Sequence, residues 1–183
     1  MSTDSPARVL ILYAHPAAEL SRANCLMIAP AAQLAHVTVN DLYERYPDFH
    51  IDVAHEQQLV QQADLIVMQH PIHWYGMPAL QKEWLDRVFT RGWAYGEGGH
   101  ALRGKGLWLV TSTGGEAEAY TPQGRHGYPF ETFLPPYEQI ARLCDMHWLA
   151  PLTLHAAHDV SPSVMQRHVD HYLERLASYP AWR

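Results

Sequence analysis

Residues 65–78, LIVMQHPIHWYGMP, begin as an apolar run and continue with prolines, histidines, two adjacent aromatic residues and a glycine. Residues 65–68 are continuously apolar, as expected of a strand that is buried on both faces of a parallel sheet. Pro71 disfavours helix in the residue before it, and the glycine and proline further on keep the backbone extended or turned. The stretch therefore predicts a central strand that displays Trp74 and Tyr75 at its carboxyl end, where open α/β sheets bind ligands.

Short apolar runs alternate with helix-forming stretches along the chain. Ser21 and Ser161 stand where helices are expected to begin, and Ser161 is followed by a proline at the first helical position. Residues 42–49, 92–99 and 117–129 are rich in turn residues and are predicted to be loops or irregular segments. Strands are predicted at residues 9–13, 37–39, 65–68, 107–110 and 148–154, and helices at 21–34, 53–62, 79–91, 130–144 and from 161 onward.

Five alternations of strand and helix predict an α/β fold with a parallel sheet and right-handed crossovers. We expect the strand order 2-1-3-4-5, because it brings the ends of strands 1, 3 and 4 to one topological switch point. Those three ends carry the most unusual loops of the chain. The prediction is a flavodoxin-like three-layer sandwich in a single domain over residues 1–183.

Composition narrows the possible functions. The net charge of -6, with only 17% charged residues, argues against nucleic acid as a partner, because binding it needs a basic face. Cys25 and Cys144 lack metal spacing and a disulfide pattern, which is typical of structural thiols in a reducing compartment. Without an apolar signal segment or a span of about 20 apolar residues, the protein is expected to be cytoplasmic.

Residues 15–24, HPAAELSRAN, run from the first strand into the first helix. A helix N-terminus offers free N–H groups and partial positive charge to an anion, and His15, Ser21 and Asn24 can add hydrogen-bond donors. The alternative is that Ser21 only caps the helix. The GxGxxG and GxxxxGK patterns are absent, which argues against resident NAD and against nucleotide hydrolysis.

The loop after strand 3 offers aromatic rings and backbone N–H groups, which suit a planar ring such as an isoalloxazine. Trp74 and Tyr75 could instead be packing residues in a tight turn. His70 and His73 are three residues apart in a proline-broken loop without an acidic partner, so no metal site is predicted.

The end of strand 4 carries Thr113, Gly114 and Gly115, where glycines allow close approach of the backbone to a ligand, unless they form an ordinary turn. Further on, Tyr120 and His126 can donate or accept protons when their surroundings tune them. On spacing alone this pair is unremarkable.

Taken together, these motifs resemble the flavodoxin-like NAD(P)H:quinone oxidoreductase family. Its members include the mammalian enzyme and the bacterial ancillary subunits of glutathione-regulated potassium-efflux systems, to which the YPDF and GWAYG segments are most similar. The resemblance covers nearly the whole chain, through residues 9–16 (VLILYAHP), 21–24 (SRAN), 42–52 (LYERYPDFHID), 63–96, 111–115 (TSTGG) and 120–127 (YTPQGRHG).

The resemblance implies a bound flavin and indicates which residues would contact it. Tyr120 and His126 match the residues that handle charge and protons beside the flavin in the family, so they are the predicted catalytic residues. The flavin phosphate is expected near His15, Ser21, Arg22, Ala23 and Asn24, and the ring against Ile72, His73, Trp74, Tyr75, Thr113, Gly114, Gly115 and Glu116.

The resemblance also implies an activity and partners. We expect FMN rather than FAD, because the chain is shorter than the mammalian enzyme, with NAD(P)H as co-substrate and a quinone as acceptor. A homodimer is expected. The alternative function is that of a flavin-binding regulatory subunit of a potassium-efflux antiporter, which would bring the protein to the inner membrane only through its partner.

Overall fold

A computed structural model describes residues 6–183, apart from the side chain of Leu20. Five parallel strands form one sheet in the order β2-β1-β3-β4-β5, which confirms the predicted order. The central strands β1, β3 and β4 are buried along their whole lengths, as continuous apolar runs in a parallel sheet should be. The strands are β1 (Val9–Tyr13), β2 (Val37–Asp41), β3 (Leu65–Pro71), β4 (Gly106–Ser112) and β5 (His147–Leu154).

Helices cover both faces of the sheet and give the three predicted layers. One apolar core lies under α2 to α5 and a second lies under α1 and α6. The side chains of Ser21 and Ser161 cap α1 and α6 as predicted. The helices are α1 (Arg22–Ala31), α2 (Leu42–Arg45), α3 (Val53–Gln62), α4 (Ala79–Val88), α5 (Pro135–Leu143) and α6 (Pro162–Ser178).

Local structure differs from the sequence prediction at residues 42–49 and agrees with it at the prolines before α5. Residues 42–49 were predicted to be a loop, but they begin with the short helix α2 because the Asp41 side chain accepts hydrogen bonds from two first-turn amides. The helix predicted over residues 130–144 was expected to be interrupted or begun anew at Pro135 and Pro136, and it is divided there into a 3₁₀ turn, Phe130–Phe133, and α5. Pro135 starts α5 because proline fits the first helical turn, where its missing N–H costs no intrahelical hydrogen bond.

The sheet register brings three loops to one edge. Tyr13 pairs with Gln69, and Pro71 pairs with Ser112. The chain therefore leaves β1, β3 and β4 at nearly the same height, on the side where parallel sheets bind ligands. No helix within residues 6–183 has the length and apolar character needed to span a membrane.

Candidate functional site

A cavity of about 410 Å³ lies at the carboxyl ends of β1, β3 and β4. A larger depression of about 490 Å³ between α1 and α2 contains none of the predicted site residues. Eight predicted residues line the first cavity: His15, Ser21, Arg22, Ala23, Ile72, His73, Thr113 and Gly114. The remaining seven do not line it: Asn24, Trp74, Tyr75, Gly115, Glu116, Tyr120 and His126.

One end of the cavity is built to accept an anion. The amides of Arg22 and Ala23, in the first turn of α1, have no acceptor among the described residues. Ser21 stands beside them, almost fully buried. These donors and the positive end of the α1 dipole favour a phosphate.

His15 is oriented by its own loop. Its Nδ1 accepts a hydrogen bond from the Ala17 amide at 3.1 Å, so the neutral ring carries its proton on Nε2. Burial, assisted by nearby His73, lowers the pKa of His15. His15 therefore serves as a neutral donor at neutral pH rather than as a cation.

Asn24 is turned away from the cavity. It is 2% exposed, and its Nδ2 donates to Ser21 Oγ at 2.8 Å. Its Oδ1 accepts a hydrogen bond from Gln69. The side chain thus holds Ser21 in place, in addition to any role toward a ligand. Gln69 and its partner Tyr172 were missed by the sequence analysis, because no local pattern links positions so far apart.

The loop after β3 is a tight hairpin with a left-handed backbone. His73 and Gly76 exchange amide hydrogen bonds of 2.9 and 3.0 Å, and Trp74 and Tyr75 between them have φ values of 48° and 66°. Each such residue costs on the order of 1–2 kcal/mol. Neither the Trp74 amide nor the Tyr75 amide has an acceptor within residues 6–183, so both are available to the polar edge of a ligand.

The two aromatic side chains of the hairpin have different surroundings. Trp74 is 95% exposed, so the alternative that it is a packing residue is wrong. Tyr75 stacks on Phe133 with ring centroids 5.0 Å apart, and its hydroxyl is 3.4 Å from Nδ1 of His126. Tyr75 therefore connects the hairpin to the long loop after β4.

The turn after β4 is held by the loop that follows β5. The amides of Ala156 and Ala157 donate to the carbonyls of Gly115 and Thr113 at 2.9 and 3.0 Å. The Thr113 hydroxyl donates to the Gly115 carbonyl, so His155 Nδ1, 3.0 Å away, donates to that hydroxyl. His155 was also missed by the sequence analysis, and its role is to fix the turn.

Tyr120 and His126 come together as a stacked pair with ring centroids 4.2 Å apart. They lie behind Gly115, where an added Cβ would be 3.0 Å from His126 Nε2. Burial raises the pKa of Tyr120, and the nearby Thr113 hydroxyl opposes that shift. Tyr120 therefore keeps its proton at neutral pH and can act as a hydrogen-bond donor.

His70 and His73 do not form a metal site with each other. His70 is fully buried and stacks on Tyr137, whereas His73 lines the cavity. In the part of the chain that the structure describes, no three His, Cys, Asp or Glu side chains are grouped to hold a metal ion.

The fold and the site together define the class of protein. A 2-1-3-4-5 parallel sheet, an anion cradle after β1, and unpaired amides in the hairpin after β3 are what a flavodoxin-like protein needs to hold a phosphorylated planar ligand. The residues present fit a flavin nucleotide, because donors without acceptors stand at the anion end of the cavity and in the hairpin that follows its lining residues Ile72 and His73.

Comparison with known proteins leads to the same family. Residues 7–179 match the family model described as flavodoxin-like fold. The chain is 49% identical over 173 residues to the glutathione-regulated potassium-efflux system ancillary protein KefG of Pectobacterium carotovorum, with 94% of each chain covered.

Two solved structures are similar over nearly the whole chain. An NADPH-quinone reductase from P. pentosaceus has a TM-score of 0.85 at 30% identity, with 94% of this chain and 98% of that chain covered. General stress protein 14 from Treponema denticola, in complex with FMN, has a TM-score of 0.83 at 36% identity, with 92% and 97% covered. The protein belongs to the flavodoxin-like NAD(P)H:quinone oxidoreductase family, which confirms the resemblance seen in the sequence.

Proposed function

We propose that the protein is a flavin-dependent NAD(P)H:quinone oxidoreductase with FMN, in preference to FAD, as its cofactor. The observation that carries this proposal is one cavity of about 410 Å³ lined by the loops after β1, β3 and β4, with unpaired α1 amides at its anion end. The unpaired amides of Trp74 and Tyr75 directly follow its lining residues Ile72 and His73. Supporting it, similar chains are an NADPH-quinone reductase and a protein solved with FMN. When bound, FMN would supply the hydride-transfer chemistry.

At the phosphate end, the chain would bind by donation alone. Ser21 and the first-turn amides of α1 would hold the phosphate, with His15 Nε2 as a further donor. Arg22 lines the cavity and would supply the positive charge. The protein carries a net charge of -6. The phosphate would therefore be bound by this local arrangement of donors rather than by a basic surface.

At the ring end, backbone groups would form most of the contacts with the ligand. The amides of Trp74 and Tyr75 would donate to one polar edge of the ring, and Gly114 and Gly115 would bring their backbone close to it. NAD(P)H and the quinone would use the same open face in turn, in a two-electron ping-pong reaction. Ile72, His73, Thr113 and Glu116 complete the proposed ring contacts.

Tyr120 and His126 are the proposed catalytic residues. The Tyr120 hydroxyl would donate toward the edge where negative charge develops during hydride transfer. His126 would accept or return a proton at Nε2, while Tyr75 contacts its Nδ1. Gly115 places no side chain against this pair, and Gly114 beside it lines the cavity.

A second candidate function is that of an ancillary subunit of a potassium-efflux antiporter. The observation that favours it is the 49% identity to an ancillary protein of a glutathione-regulated potassium-efflux system, over 94% of both chains. The protein would then reach the inner membrane through this partner, with its own reductase activity either retained or incidental. We also propose a homodimer, in which the exposed Trp74 and Tyr128 side chains would provide interface area.

The purified protein tests the cofactor directly. We expect a flavin absorption spectrum, FMN as the flavin released on denaturation and identified by chromatography, and NAD(P)H-dependent quinone reduction. A colourless protein that cannot be reconstituted with FMN would overturn the proposal. Capture by the antiporter's cytoplasmic domain, measured beside that assay, separates the two candidate functions, since an ancillary protein without reductase activity would bind but not turn over quinone.

A further inference from the structure

A chain of buried hydrogen bonds leads from helix α6 to the anion end of the cavity. The Tyr172 hydroxyl donates to Gln69 Oε1 at 2.7 Å, Gln69 Nε2 donates to Asn24 Oδ1 at 3.3 Å, and Asn24 Nδ2 donates to Ser21 Oγ at 2.8 Å. The first three side chains are 0–2% exposed and Ser21 is 7% exposed. Three elements, α6, β3 and α1 with its N-cap, are thereby joined.

The direction of donation along this series of hydrogen bonds is set at its buried end, by Tyr172. The Tyr172 hydroxyl has Gln69 as its only acceptor among the described residues. If the amide of Gln69 were reversed, the Tyr172 hydroxyl hydrogen would be buried without an acceptor, which is costly. Gln69 therefore presents its oxygen to Tyr172 and its NH₂ group to Asn24.

The same direction of donation extends to Ser21. Since Asn24 Oδ1 accepts from Gln69, its NH₂ group must face Ser21 Oγ. Ser21 Oγ also accepts the Asn24 backbone amide at 3.3 Å. Both lone pairs of the hydroxyl are then used, so its hydrogen points away from the protein interior, toward the cavity that Ser21 lines.

We propose that Gln69 and Tyr172 are positioning residues that make Ser21 an obligate donor, so that the cavity selects ligands carrying a phosphate over the same ligands without one. The proposal deepens the function proposed above and rests on it for the identity of the flavin. It predicts a dependence of phosphate recognition on two side chains that do not line the cavity.

The test replaces both inner partners together, with Gln69→Leu and Tyr172→Phe, because apolar substitutes of similar shape remove the Tyr172–Gln69 pair as a whole and leave only the inner end of the Asn24 amide without a partner. Asn24 is then free to turn its oxygen toward Ser21, which would draw the hydroxyl hydrogen inward. Tyr172→Phe alone, which keeps Gln69, is measured beside it. Tyr137→Phe is the matched control, since Tyr137 is also buried but its hydroxyl has no partner among the described residues.

Binding is measured by titration of the apoprotein with FMN, riboflavin and inorganic phosphate, before and after Ser21→Ala. We expect the paired variant to bind FMN and phosphate about tenfold more weakly, with riboflavin unchanged. Tyr172→Phe alone should show a smaller loss in the same direction, and Tyr137→Phe none. In the Ser21→Ala background the paired variant should cause no further loss, since its effect acts through that hydroxyl.

The outcomes separate this inference from the proposed function. Equal losses for FMN and riboflavin, additive losses with Ser21→Ala, or no loss at all would overturn the positioning role. If the wild-type protein bound phosphate but no flavin, the proposed function would fail, and the phosphate titrations would still decide the role of Gln69 and Tyr172. If the paired variant did not fold, Tyr172→Phe with Ser21→Ala would decide it by the same additivity rule.

Discussion

The imidazole of His126 stacks on the phenol ring of Tyr120, with centroids 4.2 Å apart and planes inclined by 24°. Tyr75 meets the same imidazole edge-on at 5.7 Å, and its hydroxyl approaches Nδ1. Residues from two loops thus fix one histidine ring from two directions. A ring held in this way can present Nε2 in a constant position, which a proton acceptor or donor requires.

Replacement of this pair should slow the proposed reductase reaction. We expect Tyr120→Phe and His126→Gln each to lower the rate of hydride transfer by about 10²-fold, because a positioned acid or base contributes at least that much. The double variant should lose less than the product of the two effects, since the rings act as a unit. Stopped-flow flavin reduction by NAD(P)H measures the rates.

Tyr128→Phe is the control for the Tyr120 and His126 variants, because Tyr128 lies in the same loop but is 60% exposed. It should leave the rate unchanged. An unaltered rate in the Tyr120→Phe, His126→Gln double variant would exclude both residues from the chemistry.

Gly115→Ala tests whether the turn after β4 restrains the His126 ring. An added Cβ would be 3.0 Å from His126 Nε2 and 3.4 Å from Tyr120 Cε2, closer than the roughly 3.5–4 Å of an optimal contact. We expect the His126 imidazole NMR signals of the apoprotein to shift and turnover to fall about tenfold.

Gly114→Ala is the matched control for that measurement, because its Cβ would meet no protein atom within 4 Å. The apoprotein of this variant should keep the His126 signals of the wild type. Identical imidazole spectra for both alanine variants would show that Gly115 does not restrain the ring.

The sequence was informative wherever structure depends on local pattern. Apolar runs placed all five strands, and the prolines and glycines after them marked the loops that meet at one edge. The hydrogen bonds that orient the site are different, because they join residues without a shared local pattern. Gln69 and Tyr172 are 103 positions apart, and Thr113 and His155 are 42 apart.

Glu56 shows the same limit in the protein core. A polar helix predicts that a glutamate faces solvent, yet Glu56 is 0% exposed. Its two oxygens accept hydrogen bonds of 2.6–2.7 Å from Tyr46, Asn40 and Trp84. Only the tertiary structure brings these three donors to one carboxylate, so sequence pattern could not have indicated them.

Glu56→Gln should therefore destabilise the protein although it preserves shape. The new NH₂ group would face at least one existing donor, leaving a buried donor without an acceptor. We expect the free energy of unfolding to fall by about 3 kcal/mol, measured by urea denaturation.

Glu83→Gln is the control for Glu56→Gln, because Glu83 forms a surface pair with Arg87. Its substitution should cost less than about 1 kcal/mol. Equal losses in the two variants would show that the Glu56 network adds nothing specific to stability.

His70 should cause the free energy of unfolding to fall when the pH is lowered into the mildly acidic range. Burial lowers its pKa from 6.5 to about 4, with the hydrogen bond to the Pro71 carbonyl opposing the shift. Between these values the unfolded chain binds a proton that the folded protein does not, so the free energy of unfolding falls as pH drops from about 6.5 to about 4. One such histidine accounts for about 2 kcal/mol between about pH 7 and about pH 5.

His70→Phe isolates this contribution because it keeps a ring against Tyr137, on which His70 stacks at 5.7 Å. Urea denaturation at several pH values should show a shallower acid dependence in the variant, so that its stability relative to the wild type rises toward acid. His168, whose pKa burial also lowers to about 4, titrates in both proteins and cancels in the difference. Parallel curves would mean that His70 has the same pKa in the folded protein and in the unfolded chain. The argument from burial would then fail.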